Sequence, residues 1–98
     1  MSELLAPISP GEILQEKFLE PMKIGQNQLA RDIDVPVSRI AEIIKGHRAI
    51  TPDTALRFSR AFGTTAEFWL NLQNACDLRK IRNSTWPEIK PKIKKYVA

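Results

Sequence analysis

Between residues 37 and 48 the chain spaces side chains whose chemistry suits the edges of nucleic-acid bases and the phosphates beside them. Arg39 carries a planar fork of donors that can pair bidentately with O6 and N7 of guanine, and Ser38 offers a hydroxyl to a base or a phosphate. On a helix, Ser38, Ala41, Glu42 and Lys45 share one outward row, with Arg39 beside its N-terminal end and Val37 at the start. Lys45 and Arg48 are suited to phosphate oxygens, as are the amides of Gln26, Asn27 and Gln28 at the beginning of the preceding segment. Catalysis finds no comparable pattern: no nucleophile–base pair, phosphate loop or metal-ligand spacing occurs. The chain is therefore expected to be no enzyme, with no catalytic residue, no metal, no cofactor and no small-molecule substrate. His47 stands alone and reads as a packing or phosphate-contacting group. Cys76, the single cysteine, cannot form an intramolecular disulfide and reads as core packing.

Two short helices must position these groups. Leu29, Ala30 and Ile33 recur as an inward stripe over a first helix that ends near Ile33, where Asp34-Val35-Pro36 breaks the pattern. Ile40, Ile43 and Ile44 supply the next stripe. Proline is tolerated at that helix's start, and Gly46 stops it as a residue free to adopt left-handed angles. Two phased stripes across a tight turn, with small Ala30 where the partner approaches, make a helix-turn-helix. Its second helix would be the recognition element, whose early residues reach base edges in such motifs.

The remaining elements look built to support this unit. Ser9-Pro10-Gly11-Glu12 predicts a capping box and a helix carrying Ile13, Leu14 and Phe18, closed by Leu19 and Met22 before Pro21 and Gly25 redirect the chain. Thr51-Pro52-Asp53 predicts another helix start, with Ala55, Phe58 and Phe62 facing inward and Gly63 ending it. Thr64 with Glu67 predicts a capping box for a longer helix to about Arg82, on which Phe68, Leu72, Ala75 and Cys76 form one apolar row and Trp69 and Leu70 widen it. A helix with so broad an apolar surface suits two neighbours, so Phe68, Trp69, Leu72 and Trp86 are assigned to a homodimer contact. Beyond Asn83-Ser84, Ile89, Pro91 and Ile93 alternate with Lys90, Lys92 and Lys94, which favours an extended or edge-strand tail over a helix interrupted by two prolines.

The 98 residues, 43% of them hydrophobic, suit one domain with a modest core. The formal net charge of +4 is uneven. Residues 1–20 contribute −3 and residues 21–78 +1, whereas residues 79–98 contribute +6. The basic excess thus belongs mainly to the tail, and nucleic acid is the simplest partner. No apolar run is long enough for a membrane span or a secretory signal, so a cytoplasmic location and no membrane partner are expected.

At Gln26, Leu29-Ala30, Ser38-Arg39-Ile40, Gly46-His47-Arg48-Ala49-Ile50-Thr51 and Glu67-Phe68-Trp69-Leu70-Asn71-Leu72-Gln73, the chain resembles the Cro/C1-type (XRE) helix-turn-helix family, and within it the HigA/VapI-like antitoxins. The resemblance covers roughly residues 9–82. It departs at Asp34, a turn position usually held by glycine in the family; aspartate is among the few residues that visit left-handed angles at modest cost. The implied fold is all-α, a five-helix lambda repressor-like domain over residues 1–83 followed by a basic tail over 84–98. The implied function is a sequence-specific repressor that, as a homodimer, binds a palindromic double-stranded operator, neutralises an RNA-cleaving toxin of the HigB type and represses their shared operon. Two alternatives stay open: a stand-alone helix-turn-helix regulator without a toxin, and a dimeric protein-interaction module in which DNA contact is weak.

Overall fold

The computed structural model describes residues 9–97. Within that span the chain forms six helices and no strand. Helix α1 covers residues 10–22 and opens on the expected reciprocal cap: the Ser9 hydroxyl accepts from the Glu12 amide at 3.2 Å and the Glu12 carboxylate accepts from the Ser9 amide at 2.9 Å. It then changes gauge. An α-helical turn Pro10–Ile13 passes into a π-helical segment Leu14–Leu19 and returns to α-helix over Glu20–Met22. The widened segment ends two residues before Pro21, which has no N–H to give and whose ring crowds the carbonyl of the preceding turn. The helix therefore runs through Pro21, and the chain turns only at Lys23, which takes a left-handed φ of 58°.

Helices α2 (Gln26–Asp32) and α3 (Val37–Ile44) follow, then α4 (Pro52–Phe62) and α5 (Ala66–Arg82). Thr51 caps α4 through the Thr54 amide, as its sequence predicts. The cap of α5 lies one residue later than expected: the Thr65 hydroxyl accepts from the Phe68 amide at 3.0 Å. Thr64 has another task, accepting the indole N–H of Trp69 at 2.8 Å. A buried tryptophan needs a partner for that donor, and the adjacent threonine is left to cap.

Trp69 is the centre of the core. It is 0% exposed, with Phe18 and Phe58 each 5.0 Å from it between ring centroids and Phe62 at 6.0 Å. Leu14, Leu19, Leu29, Ala30, Ile33, Ile40, Ile43, Ile50 and Ala55 complete the buried cluster, so α1, α4 and α5 together back the helix-turn-helix. Burying this much aliphatic and aromatic surface is the main force holding the short helices, none of which would persist alone. One contact is unusually tight. Gly11 is buried where α1 crosses the end of α3, and a Cβ on it would lie 2.7 Å from Ile44 Cα and closer still to the Ile43 carbonyl oxygen.

The tail departs from its expected form. Trp86–Ile89 is a helical turn, α6, continued by a 3₁₀ turn over Lys90–Lys92; extended angles begin only at Ile93. Both prolines fall in first turns, where no N–H is required of them, so they start helical turns where the sequence suggested they would prevent one. Among the described residues no strand is present for an edge strand to pair with. No helix of the described residues is long and apolar enough to cross a membrane.

Candidate nucleic-acid interface

The turn between α2 and α3 is built from backbone bonds and one arginine. Asp34 takes a φ of 60°, in the left-handed region that the turn requires, and the Val35 amide closes back onto the Ala30 carbonyl at 3.0 Å. From α4, Arg57 Nη1 donates to the carbonyls of Ile33 at 2.6 Å and Asp34 at 3.1 Å. These carbonyls belong to the end of α2 and the turn, where helical partners run out. Arg57 thereby fixes the angle at which α3 leaves the turn. At its other end α3 stops at Gly46, φ 81°, with the His47 amide bonded to the Glu42 carbonyl and the Gly46 amide to the Ile43 carbonyl. This is the pair of bonds that a left-handed C′ glycine permits.

Ile40 and Ile43 are buried beneath α3 and Ile44 is half-buried. On the opposite side Val37 (43% exposed) and Ser38 stand clear, Ala41 and Glu42 are half-buried, and Lys45 and Arg48 are exposed. Of the expected outward row, Ser38 and Lys45 are thus exposed, and Ala41 and Glu42 partly so. Gln26 is half-buried at the start of α2, with Asn27 and Gln28 exposed beside it. Glu42 reaches across the end of the helix to His47, Oε1 to Nδ1 at 3.4 Å.

Arg39 sits differently from its neighbours. Its side chain is 26% exposed, and Nη1 lies 3.4 Å from Asp53 Oδ2 in the first turn of α4. The same carboxylate oxygen accepts from Arg57 Nε at 2.9 Å. Asp53 therefore links the arginine of the recognition helix to the arginine that clamps the turn. The sequence marked Asp53 only as part of the start of α4 and did not mark Arg57 at all; neither was a candidate site residue. Their i, i+4 spacing on α4 was visible, but their partners on α2, the turn and α3 were not.

Gln73 was likewise unforeseen as a contributor. Its carbonyl oxygen accepts from the Ile50 amide at 2.8 Å while its amide donates to Asp77 at 3.1 Å, tying the loop that carries Arg48 to α5.

Two corrections concern α5. The inward positions are Trp69 and Cys76, with Leu72 packed against the core, whereas Phe68 and Ala75 are exposed. Trp69 has no surface to offer a second chain, because the core it completes needs all of it. Phe68 and Trp86 remain outside at 39% and 38% exposure. Leu78, Ile81, Arg82 and Trp86 line an open, mainly apolar groove of about 260 Å³ between α5 and α6, and Ile89 and Ile93 in the tail are exposed as well.

The family model described as "Helix-turn-helix" matches residues 16–69. Virulence-associated protein I of Dichelobacter nodosus is 51% identical over 72 residues, 74% of this chain and 67% of that protein. Antitoxin HigA-1 of Vibrio cholerae is 40% identical over 84 residues, 86% of this chain and 79% of its own. Among solved structures, Pseudomonas aeruginosa antitoxin HigA with the higBA promoter superposes with a TM-score of 0.87 at 35% identity, covering 93% of this chain and 99% of that one.

Proposed function

The chain belongs to the Cro/C1-type helix-turn-helix family, in its HigA/VapI-like antitoxin branch, and on that premise we propose that it is a sequence-specific DNA-binding repressor and the antitoxin of a HigBA-type toxin–antitoxin pair. Acting in the cytoplasm, it neutralises an RNA-cleaving toxin and represses the operon that encodes both. The observation that carries the DNA half is the outward surface of α3: Val37, Ser38 and Lys45 are exposed above a buried isoleucine stripe, with Arg48 beside them. A helix held by one face and presenting polar groups on the other is what a major groove admits. Ser38 and Arg39 read bases, with Val37 and Glu42 against the groove. Lys45, Arg48, Gln26, Asn27 and Gln28 contact phosphates. The toxin half rests on the antitoxin relatives.

Residues 1–83 act as the five-helix DNA-binding domain and residues 84–98 as a basic appendage with its own helical turn. Two copies associate through the apolar surface of Leu78, Ile81 and Trp86, with exposed Ile89 and Phe68 as further apolar candidates. A two-fold arrangement sets the recognition helices about 34 Å apart, matching successive major grooves of a palindromic operator. The test is binding of purified protein to DNA from its own upstream region and to a scrambled duplex, measured by fluorescence anisotropy over a range of salt. Tight, selective binding supports the reading. Weak binding indifferent to sequence would leave the helix-turn-helix as a scaffold. Co-purification with the product of an adjoining reading frame, and relief of its toxicity, tests the antitoxin half.

A further inference from the structure

We infer that Asp53 is a specificity-determining positioning residue, which touches no base itself but holds the Arg39 guanidinium in the one pose from which it reads the operator. The inference rests on the DNA-binding reading above.

Arg39 is the side chain on α3 best suited to discriminate a base, yet an arginine at a helix surface is free to sweep a wide arc. It can then reach phosphates as readily as base edges. Here the arc is restricted. Nη1 is drawn to Asp53 Oδ2 at 3.4 Å, and the side chain is only 26% exposed. Among the described residues no other hydrogen bond engages this guanidinium, so Nε and Nη2, two adjacent donors of the fork, stay available for a bidentate contact.

Asp53 is itself held. Its Oδ2 accepts from Arg57 Nε at 2.9 Å, and Arg57 is anchored on the carbonyls of Ile33 and Asp34. The position of Arg39 is therefore referred, through two side chains, to the backbone of the turn that sets the angle of α3. The Asp53 side chain is 61% exposed, and an ion pair so open to water adds little stability. A negative charge beside the surface that meets phosphates also opposes DNA association in general. A carboxylate that stabilises the fold little and repels the ligand is explained if it orients the group that selects the sequence, ordering in advance a side chain that binding would otherwise have to immobilise.

The experiment compares wild type, Asp53→Asn, Arg39→Ala and the double variant on operator and scrambled DNA by anisotropy, with thermal unfolding of each. Asparagine keeps an oxygen for the 2.9 Å bond from Arg57, while loss of the carboxylate charge weakens the longer, 3.4 Å pairing with Arg39 most. The expected result is an operator-to-scrambled affinity ratio reduced on the order of tenfold in Asp53→Asn, with scrambled-DNA affinity unchanged or raised and the melting temperature near wild type. In the Arg39→Ala background, Asp53→Asn should leave the ratio unchanged. An unaltered ratio in the single variant, a parallel loss on both DNAs, or an undiminished effect without Arg39 would each overturn the inference. Wild-type protein that fails to distinguish the two DNAs would instead remove the repressor reading, and this inference with it.

Discussion

Replacing Gly11 with alanine sets two opposed effects against each other, and the structure decides which wins. Alanine is the better helix former, by about 0.5–1 kcal/mol over glycine in a helix interior and less in a first turn such as this. Against that, the new methyl would sit 2.7 Å from Ile44 Cα and nearer still to the Ile43 carbonyl. Both obstacles are backbone of the recognition helix, and neither can rotate out of the way. Carbon–carbon contacts relax only near 3.5 Å or beyond, so α1 and the end of α3 would have to part by about 1 Å. Overpacking of this kind costs typically 1–3 kcal/mol, which exceeds the propensity gain. For a domain of this size 1 kcal/mol corresponds to about 4–8 °C in melting temperature, and a net loss of 1–2 kcal/mol should lower it by about 10 °C, read by circular dichroism at 222 nm. Gly46→Ala is the control. Nothing lies within 4 Å of its Cβ position, so only its positive φ is penalised, by about 1–2 kcal/mol. A melting temperature for Gly11→Ala at or above wild type would refute the reasoning, because it would mean that the two helices do not touch at Gly11.

Asp34→Gly relieves a left-handed backbone without removing the carbonyl that Arg57 holds, so stability should rise by about 1 kcal/mol in urea unfolding. Arg57→Ala leaves that carbonyl and that of Ile33 without their charged donor; a loss of about 1.5–3 kcal/mol is expected by the same measurement. Lys45→Ala should weaken operator and scrambled DNA alike and reduce the slope of log affinity against log salt by about one. Ile81→Asp places a charge in the apolar surface shared by α5 and α6, and should shift sedimentation from dimer to monomer while each chain stays helical.

The sequence by itself determined where α1 and α4 start and where α3 and α4 stop. Caps and breakers act within a few residues, so Ser9 with Glu12, Thr51 with Pro52, and Gly46 and Gly63 with their positive φ declare themselves locally. The stripes of α2 and α3 were equally legible, since a short amphipathic helix has only one face it can bury. Helix α5 was not, because apolar residues occur around most of its circumference. Only the packing of Phe18 and Phe58 against it selected Trp69 as the buried ring and left Phe68 outside. The passage of α1 through Pro21 needed a widened turn, and the helical turns of the tail needed each proline to fall in a first turn. Proline's local rule supplied neither. What tertiary structure alone decided is the setting of Arg39, the turn and the loop after α3. Asp53, Arg57 and Gln73 act across 14 to 24 residues of sequence, and no periodicity records a hydrogen bond between elements. Local physical chemistry thus marks out the recognition helix; the long-range bonds to Arg39, to the turn and to the loop after α3 set how it is held.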